Sequence, residues 1–144
     1  MPVVAAVDRS ESTDDVVTEA DALARAMDDD LHVVHVLSQK EFVGIEQTSV
    51  EETGTTVPLD DIRAYAEEVA DDAADGVAQE YEPVGLVGDA AEALLEYIED
   101  HDARYIVLGG RKRSPVGKVL FGSTAQVVLL DASCPVVSVR RDEE

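Results

Sequence analysis

Leu31-His32-Val33-Val34-His35-Val36-Leu37 is a seven-residue run with apolar residues at five positions and no polar-apolar alternation. A strand with one wet face alternates, whereas a strand covered on both faces reads as a continuous apolar run. The run therefore predicts a central or near-central strand of a parallel sheet with helices above and below.

The flanking sequence carries the same pattern outward. Pro2 to Val7 is short, apolar and β-branched, and a polar stretch, Asp8-Arg9-Ser10-Glu11, separates it from apolar residues at helical spacing. Ser12-Thr13-Asp14-Asp15 has the form of a capping box, a hydroxyl with a carboxylate three residues on, so a first helix is expected from there to Met27. Ser38 to Val57 has no clean period and contains Gly44 and Gly54, which predicts a long excursion. After Pro58, the set Ile62, Tyr65, Ala66, Val69, Ala73 and Val77 marks one face of a second helix ending between Gly76 and Glu80.

Glu82 to Val87 reads as a third strand, and Gly88-Asp89-Ala90-Ala91-Glu92 as a second capping box, opening a helix that packs Leu94, Leu95 and Ile98. Arg104 to Leu108 is a fourth strand, Ser123 to Asp131 a helix with Val127, Val128 and Leu130 inward, and Pro135 to Val139 a fifth strand. Alternating strands and helices call for right-handed crossovers. The expected fold is a single α/β domain over residues 1–144, a doubly wound five-stranded parallel sheet with helices on both faces.

Composition narrows the function. The chain carries 32 acidic and 11 basic residues, a net charge of -21, which repels nucleic acid phosphates and anionic membranes. Three of the basic residues are lysine and aspartate outnumbers glutamate, a combination that resembles proteins of organisms holding molar salt in the cell. Runs such as Asp28-Asp29-Asp30 and Asp71-Asp72 read as solvated faces rather than metal sites. No apolar stretch approaches the roughly 20 residues of a membrane span, and the first residues lack a basic n-region, so a cytoplasmic location is expected. Cys134, the one cysteine, is expected to be an inert thiol at a strand edge. His32 and His35 are three apart on a strand and face opposite sides, so they cannot clamp one metal; His35 reads as a core histidine and His101 as a helix-end partner.

In a doubly wound sheet ligands bind beyond the carboxyl ends of the strands, where the strand order reverses. The loop after the fourth strand, Gly109-Gly110-Arg111-Lys112-Arg113-Ser114-Pro115-Val116-Gly117-Lys118, holds three glycines and four of the 11 basic residues, and it leads through Val119-Leu120-Phe121 into Gly122-Ser123-Thr124 at the start of a helix. Glycines let backbone amides approach a phosphate, and the helix start adds unsatisfied amides with a positive dipole end. Taken alone, the same residues also suit tight turns and a helix cap.

This loop resembles the universal stress protein signature, in which glycine, two residues, glycine, nine residues and glycine precede a serine or threonine. Gly109, Gly122 and Ser123 match, while the second glycine falls on Lys112. Val7-Asp8, Val34-His35-Val36, Val87-Gly88 and Ser133-Cys134-Pro135-Val136-Val137 extend the resemblance over essentially the whole chain. It implies an adenine nucleotide, ATP with or without magnesium, with Asp8 close to the nucleoside and the backbone of Val36 reading adenine. Leu108, Gly109, Lys112, Gly122, Ser123 and Thr124 complete the implied site, with Gly109, Ser123 and Thr124 on the phosphates. The family also implies a homodimer through the last strand, whose apolar edge at Pro135 to Val139 otherwise faces solvent.

No nucleophile or general base stands out, so a regulatory nucleotide-binding protein is expected, with at most slow incidental hydrolysis. Lys112 keeps open a nucleotide-independent, stress-associated interaction protein, since part of the family lacks the phosphate glycines. The adenylation signatures of related nucleotide-transfer enzymes are absent, and the acidic pair of a phosphoacceptor receiver is not found, since Arg9 stands beside Asp8. The surplus of carboxylates predicts that the thermal unfolding midpoint rises from low salt to molar potassium chloride, as screening relieves self-repulsion. An unchanged midpoint overturns this reading of the acidic surface.

Overall fold

A computed structural model describes residues 1–8, 13–54, 58–113 and 119–140. In chain order the elements are β1 (Val3–Ala6), α1 (Thr13–Met27), β2 (Leu31–Leu37), α2 (Gln39–Thr53), α3 (Leu59–Ala74), β3 (Glu82–Val87), α4 (Ala90–Asp100), β4 (Tyr105–Arg113), β5 (Val119–Phe121), α5 (Ser123–Asp131) and β6 (Val136–Arg140). β1 pairs with β2 and β4, β2 with β3, and β4 with β6, all in parallel. The parallel strands thus run β3-β2-β1-β4-β6, the five-stranded doubly wound sheet that the sequence predicts.

Both faces of the central strands are buried. Val3, Ala5, Leu31 and Val33 pack on one face with Val16, Val17 and Ala20 of α1 and Ala70 and Ala74 of α3. Val4, Val34, Ile106 and Leu108 pack on the other with Leu94 and Ile98 of α4 and Val128 of α5. The period-two alternation of side chains divides β2 between these two cores, which is why it reads as a continuous apolar run. Pro83, which lacks an amide for a ladder, is accommodated because β3 is an edge strand.

Four expectations need correction. Ser38 to Val57 is not an irregular excursion throughout, because α2 occupies Gln39–Thr53. Phe42 and Ile45 anchor it against Leu37, Ile62 and Ala66, while Val43 stays exposed, so its helical period is weak. In α3 the buried face is Ile62, Ala66, Ala70 and Ala74, whereas Tyr65 is exposed and Val77 lies beyond the helix. In α5 only Ala125 and Val128 are buried, and Leu130 is 84% exposed. A turn of about 100° per residue carries Val127 and Leu130 away from the Ala125–Val128 side. The fourth strand runs on to Arg113, and Arg111–Arg113 pair antiparallel with Val119–Phe121, adding β5 to the sheet.

The α3 face is made of alanines because the helix lies almost on the β3 backbone. A Cβ placed on Gly85 would stand 2.3 Å from both the Arg63 carbonyl oxygen and the Glu67 amide nitrogen, so only glycine admits this approach. Other ends are tied by polar bonds: the Asp89 carboxylate caps α4 by accepting from the Glu92 amide at 3.0 Å, as the capping box predicts, and Arg104 pairs with Asp29 at the amino edge of the sheet. The Ser12 end of the first capping box lies outside the described residues.

Gly85→Ala must push α3 off β3 and is expected to cost about 1 to 3 kcal/mol, the usual range for overpacking. Gly44→Ala, in α2 with nothing near its Cβ, is expected to be neutral or to stabilise by up to about 1 kcal/mol on helix propensity. Urea unfolding of both variants against wild type checks the pair; equal midpoints would refute the packing argument.

Candidate nucleotide-binding site

At the carboxyl edge of the sheet the core between β1, β2 and β4 on one side and α4 and α5 on the other opens into a cavity of about 240 Å³. Its floor and walls are Ala6, Val34, Val36, Leu94, Leu108 and Ala125, members of the core cluster on that face. Asp8, Ser38, Glu41, Gly109 and Thr124 add polar groups or open backbone around them. An apolar pocket with a few convergent polar groups suits a small planar ligand with a hydrophilic end.

Each group arrives there for a local reason. Asp8 follows the last residues of β1, and the buried Thr13 at the start of α1 donates its hydroxyl to the Asp8 carbonyl at 2.9 Å, with the Asp8 Oδ1 at 3.5 Å. Val36 lies beyond the last β1–β2 rung, Ala6↔Val34. Backbone groups alternate sides along a strand; the Val34 carbonyl accepts from Val7 on the β1 side and the Leu37 carbonyl from Gly88 on the β3 side. The amide and carbonyl of Val36 therefore face the β1 side, where β1 has left the sheet. Ser38 caps α2, its Oγ accepting from the Glu41 amide at 3.2 Å. Thr124 sits in the first turn of α5, whose N-cap is Gly122.

Of the residues that sequence reasoning proposes, the cavity brings together Asp8, Val36, Leu108, Gly109 and Thr124. Gly122 and Ser123 are exposed beside Thr124 at the α5 terminus but do not line it. Gly122 has φ -65° and nothing within 4 Å of an added Cβ, so neither conformation nor packing requires glycine there. The Lys112 backbone belongs to β4, paired with Leu120, and its side chain lies outside the described part, as does the loop at 114–118. The continuous glycine loop expected after the fourth strand is thus in part a hairpin, whose backbone groups serve the ladder. Ser38 and Glu41 are additions; the sequence signal for both was the Ser38-x-x-Glu41 capping pattern.

The histidines hold other posts. His35 is 3% exposed, and its Nδ1 bonds the Val7 carbonyl at 2.9 Å, which makes Nδ1 the protonated ring nitrogen. Among the described residues its Nε2 has no partner. His32 points to the opposite face, where Nδ1 meets the Tyr97 hydroxyl at 2.6 Å and Nε2 the Glu82 carboxylate at 3.0 Å. Burial lowers the His32 pKa against the pull of Glu82, so His32 favours its neutral form. His101 caps the end of α4, its ring stacked on Tyr97 and its Nδ1 3.0 Å from the Tyr97 carbonyl. Burial pushes the Cys134 thiol up, which disfavours the reactive thiolate. Among the described residues no group of three or more histidine, cysteine or acidic side chains is placed to hold a metal, and no helix is long and apolar enough to cross a membrane.

The fold defines a doubly wound α/β protein with a cavity at the carboxyl edge of its sheet. The universal stress protein family profile matches residues 1–140, and the chain belongs to that family. A universal stress protein of Mycolicibacterium smegmatis is 48% identical over 59 residues, 41% of this chain and 44% of that relative. The chain spans less than half the length of the curated relatives it matches, 44% and 40%. The universal stress protein of Archaeoglobus fulgidus superposes with a TM-score of 0.61 at 28% identity, covering 96% of this chain and 97% of that one. A structure of the universal stress protein from the same organism in complex with dAMP has a TM-score of 0.56 and 22% identity, with 96% of each chain covered.

Proposed function

We propose that this chain is a regulatory protein that binds an adenine nucleotide, ATP in the first instance, at the carboxyl edge of its sheet and works as a homodimer in a stress response. The observation that carries the reading is the convergence on one cavity of Asp8, Val36, Leu108, Gly109 and Thr124, contributed by four separate segments of the chain. The dAMP complex of the Archaeoglobus fulgidus relative supports an adenine nucleotide as the ligand class.

The residues fit the group. An adenine ring suits the aliphatic walls, with the Val36 backbone offering a donor and an acceptor to its edge, while the Asp8 carboxylate accepts from ribose hydroxyls. Phosphates would extend toward Gly109 and the start of α5, where Thr124 and Ser123 offer hydroxyls and the first amides of the helix point outward. Open space at the Cβ of Gly122 keeps that approach clear. Each charge-assisted hydrogen bond to a phosphate contributes about 1.5 to 3 kcal/mol. The chain's own part is to bind, orient and register the nucleotide. We assign it no catalytic group, because the cavity's acidic residues stand where a ribose or a base would lie rather than beside the phosphates.

Occupancy has a direct route to the surface. Ser38 and Glu41 border the cavity and open α2, which is held to the core by Phe42 and Ile45. A ligand contacting that first turn would stabilise a weakly anchored helix, a coupling of binding to local order. The edge of β6 is paired only to β4 among the described strands, and its residues Val136 to Val139 offer an uncharged backbone edge on which a second copy could dock despite the net charge of -21.

The nucleotide-independent interaction protein is favoured by one observation, the β4–β5 hairpin that takes up the backbone around Lys112. Calorimetric titration of ATP, with magnesium, in molar potassium chloride separates the two readings. Wild type is expected to bind at micromolar Kd, about -8 kcal/mol. A Ser123→Ala, Gly122→Val double variant, at positions that folding does not require, is expected to lose binding at least about tenfold. Absence of heat with wild type would transfer the reading to the nucleotide-independent protein. Light scattering at the same salt is expected to give twice the monomer mass, and a monomer would refute the dimer.

A further inference from the structure

The cavity is electrically lopsided along the sheet edge. The strands run β2-β1-β4 across it, so its polar groups fall in the order Ser38 and Glu41, then Asp8, then Gly109 and Thr124. Among the described residues the two carboxylates that line it stand at the β2 and β1 positions, and the β4 side offers glycine backbone and the N-terminus of α5. Like charges repel strongly beside an apolar wall, so a phosphate is turned away from the β2 end and accepted at the β4 end. Electrostatics alone therefore orients a nucleotide with its base at β2, against Val34, Val36 and Leu94, and with Glu41 at the edge of that base.

The backbone that carries Glu41 is held in place, while its side chain is exposed at the rim of the cavity. It is the third residue of α2, its amide donates to the Ser38 Oγ at 3.2 Å, and the Phe42 amide donates to the Ser38 carbonyl at 2.9 Å, so the first turn that presents it is closed. An ionised carboxylate accepts hydrogen bonds and cannot donate one. Opposite a purine, it gains from an amino group and is penalised by a carbonyl oxygen, and specificity built on such a mismatch rests as much on the repulsive partner as on the attractive one.

We propose that Glu41 is the base-selecting residue of this site: its carboxylate admits a purine carrying an amino group at C6 and rejects one carrying a carbonyl there. The proposal rests on the reading of the cavity as a nucleotide site and adds a side-chain discrimination at Glu41 to the backbone contact at Val36 that the resemblance implies. AMP and IMP are the minimal pair, since they share ribose and phosphate and differ only at the C6 and N1 edge.

The test titrates AMP and IMP separately into wild type and into Glu41→Gln, in molar potassium chloride. Glutamine preserves the size and the capping pattern, can accept from an amino group and can donate to a carbonyl, and circular dichroism verifies that helix content is kept. Wild type is expected to prefer AMP by about tenfold or more, the scale of one mismatched hydrogen bond at a partly solvated site. In Glu41→Gln the ratio is expected to fall to within about threefold, chiefly because IMP binds more tightly. Equal binding of both nucleotides by wild type overturns the proposal while leaving the nucleotide site in place, and so does an unchanged AMP preference in the variant. Binding of neither nucleotide by wild type overturns both the site and the selection.

Discussion

The rest of the structure depends on the burial of both faces of β1. Val3, Val4 and Ala5 are wholly buried, and a fully buried aliphatic side chain contributes about 1.5 to 3 kcal/mol relative to solvent. A strand in that position must have helices on each side. α1 and α3 cover one face, and α4 and α5 the other. Strand order consequently reverses at β1, with β2 and β3 laid down to one side and β4 and β6 to the other. At such a reversal the segments leaving neighbouring strands turn toward opposite faces and leave a crevice between them. The cavity below Asp8 and Gly109 lies at that crevice.

Polarity of the cavity follows from which segments reach it. β1 ends in an aspartate and β2 leads into the capped first turn of α2, so carboxylates gather at that side. β4 passes Gly109 at the carboxyl edge of the sheet, and β5 leads into the start of α5, so glycine and a helix N-terminus stand at the other. A chain with net charge -21 has few places where an anion is tolerated, and a helix start free of acidic residues in its first turn is one of them. The crevice and this charge gradient are the basis of the ligand orientation proposed above.

Elements with strong local signals were legible in the sequence. β2, β3 and α5 have the bounds that the apolar runs and cap residues predict, and α1 ends at Met27 as expected. What escaped were features set by contact at a distance. Ala66, Ala70 and Ala74 face the sheet, and Tyr65 does not, because Gly85 on the following strand lets α3 come close. α2 was hidden because a helix anchored by two side chains over a small cluster needs little amphipathic pattern. Leu130 reads as a core residue by type, yet faces outward because the azimuth of α5 is chosen by Ala125 and Val128.

The candidate site divides along the same line. By itself the sequence determined the class of fold and the family pattern from which a site at Asp8, Val36, Gly109 and Thr124 is proposed, since these depend on local periodicity and motif spacing. Only the tertiary structure decided that Gly122 and Ser123 stand beside the cavity rather than in it, that the Lys112 backbone is taken up by a hairpin, and that Glu41 borders the same cavity as Asp8. Those outcomes depend on strand order and helix docking, which bring residues together by the free energy of burying surface that no short stretch of chain contains.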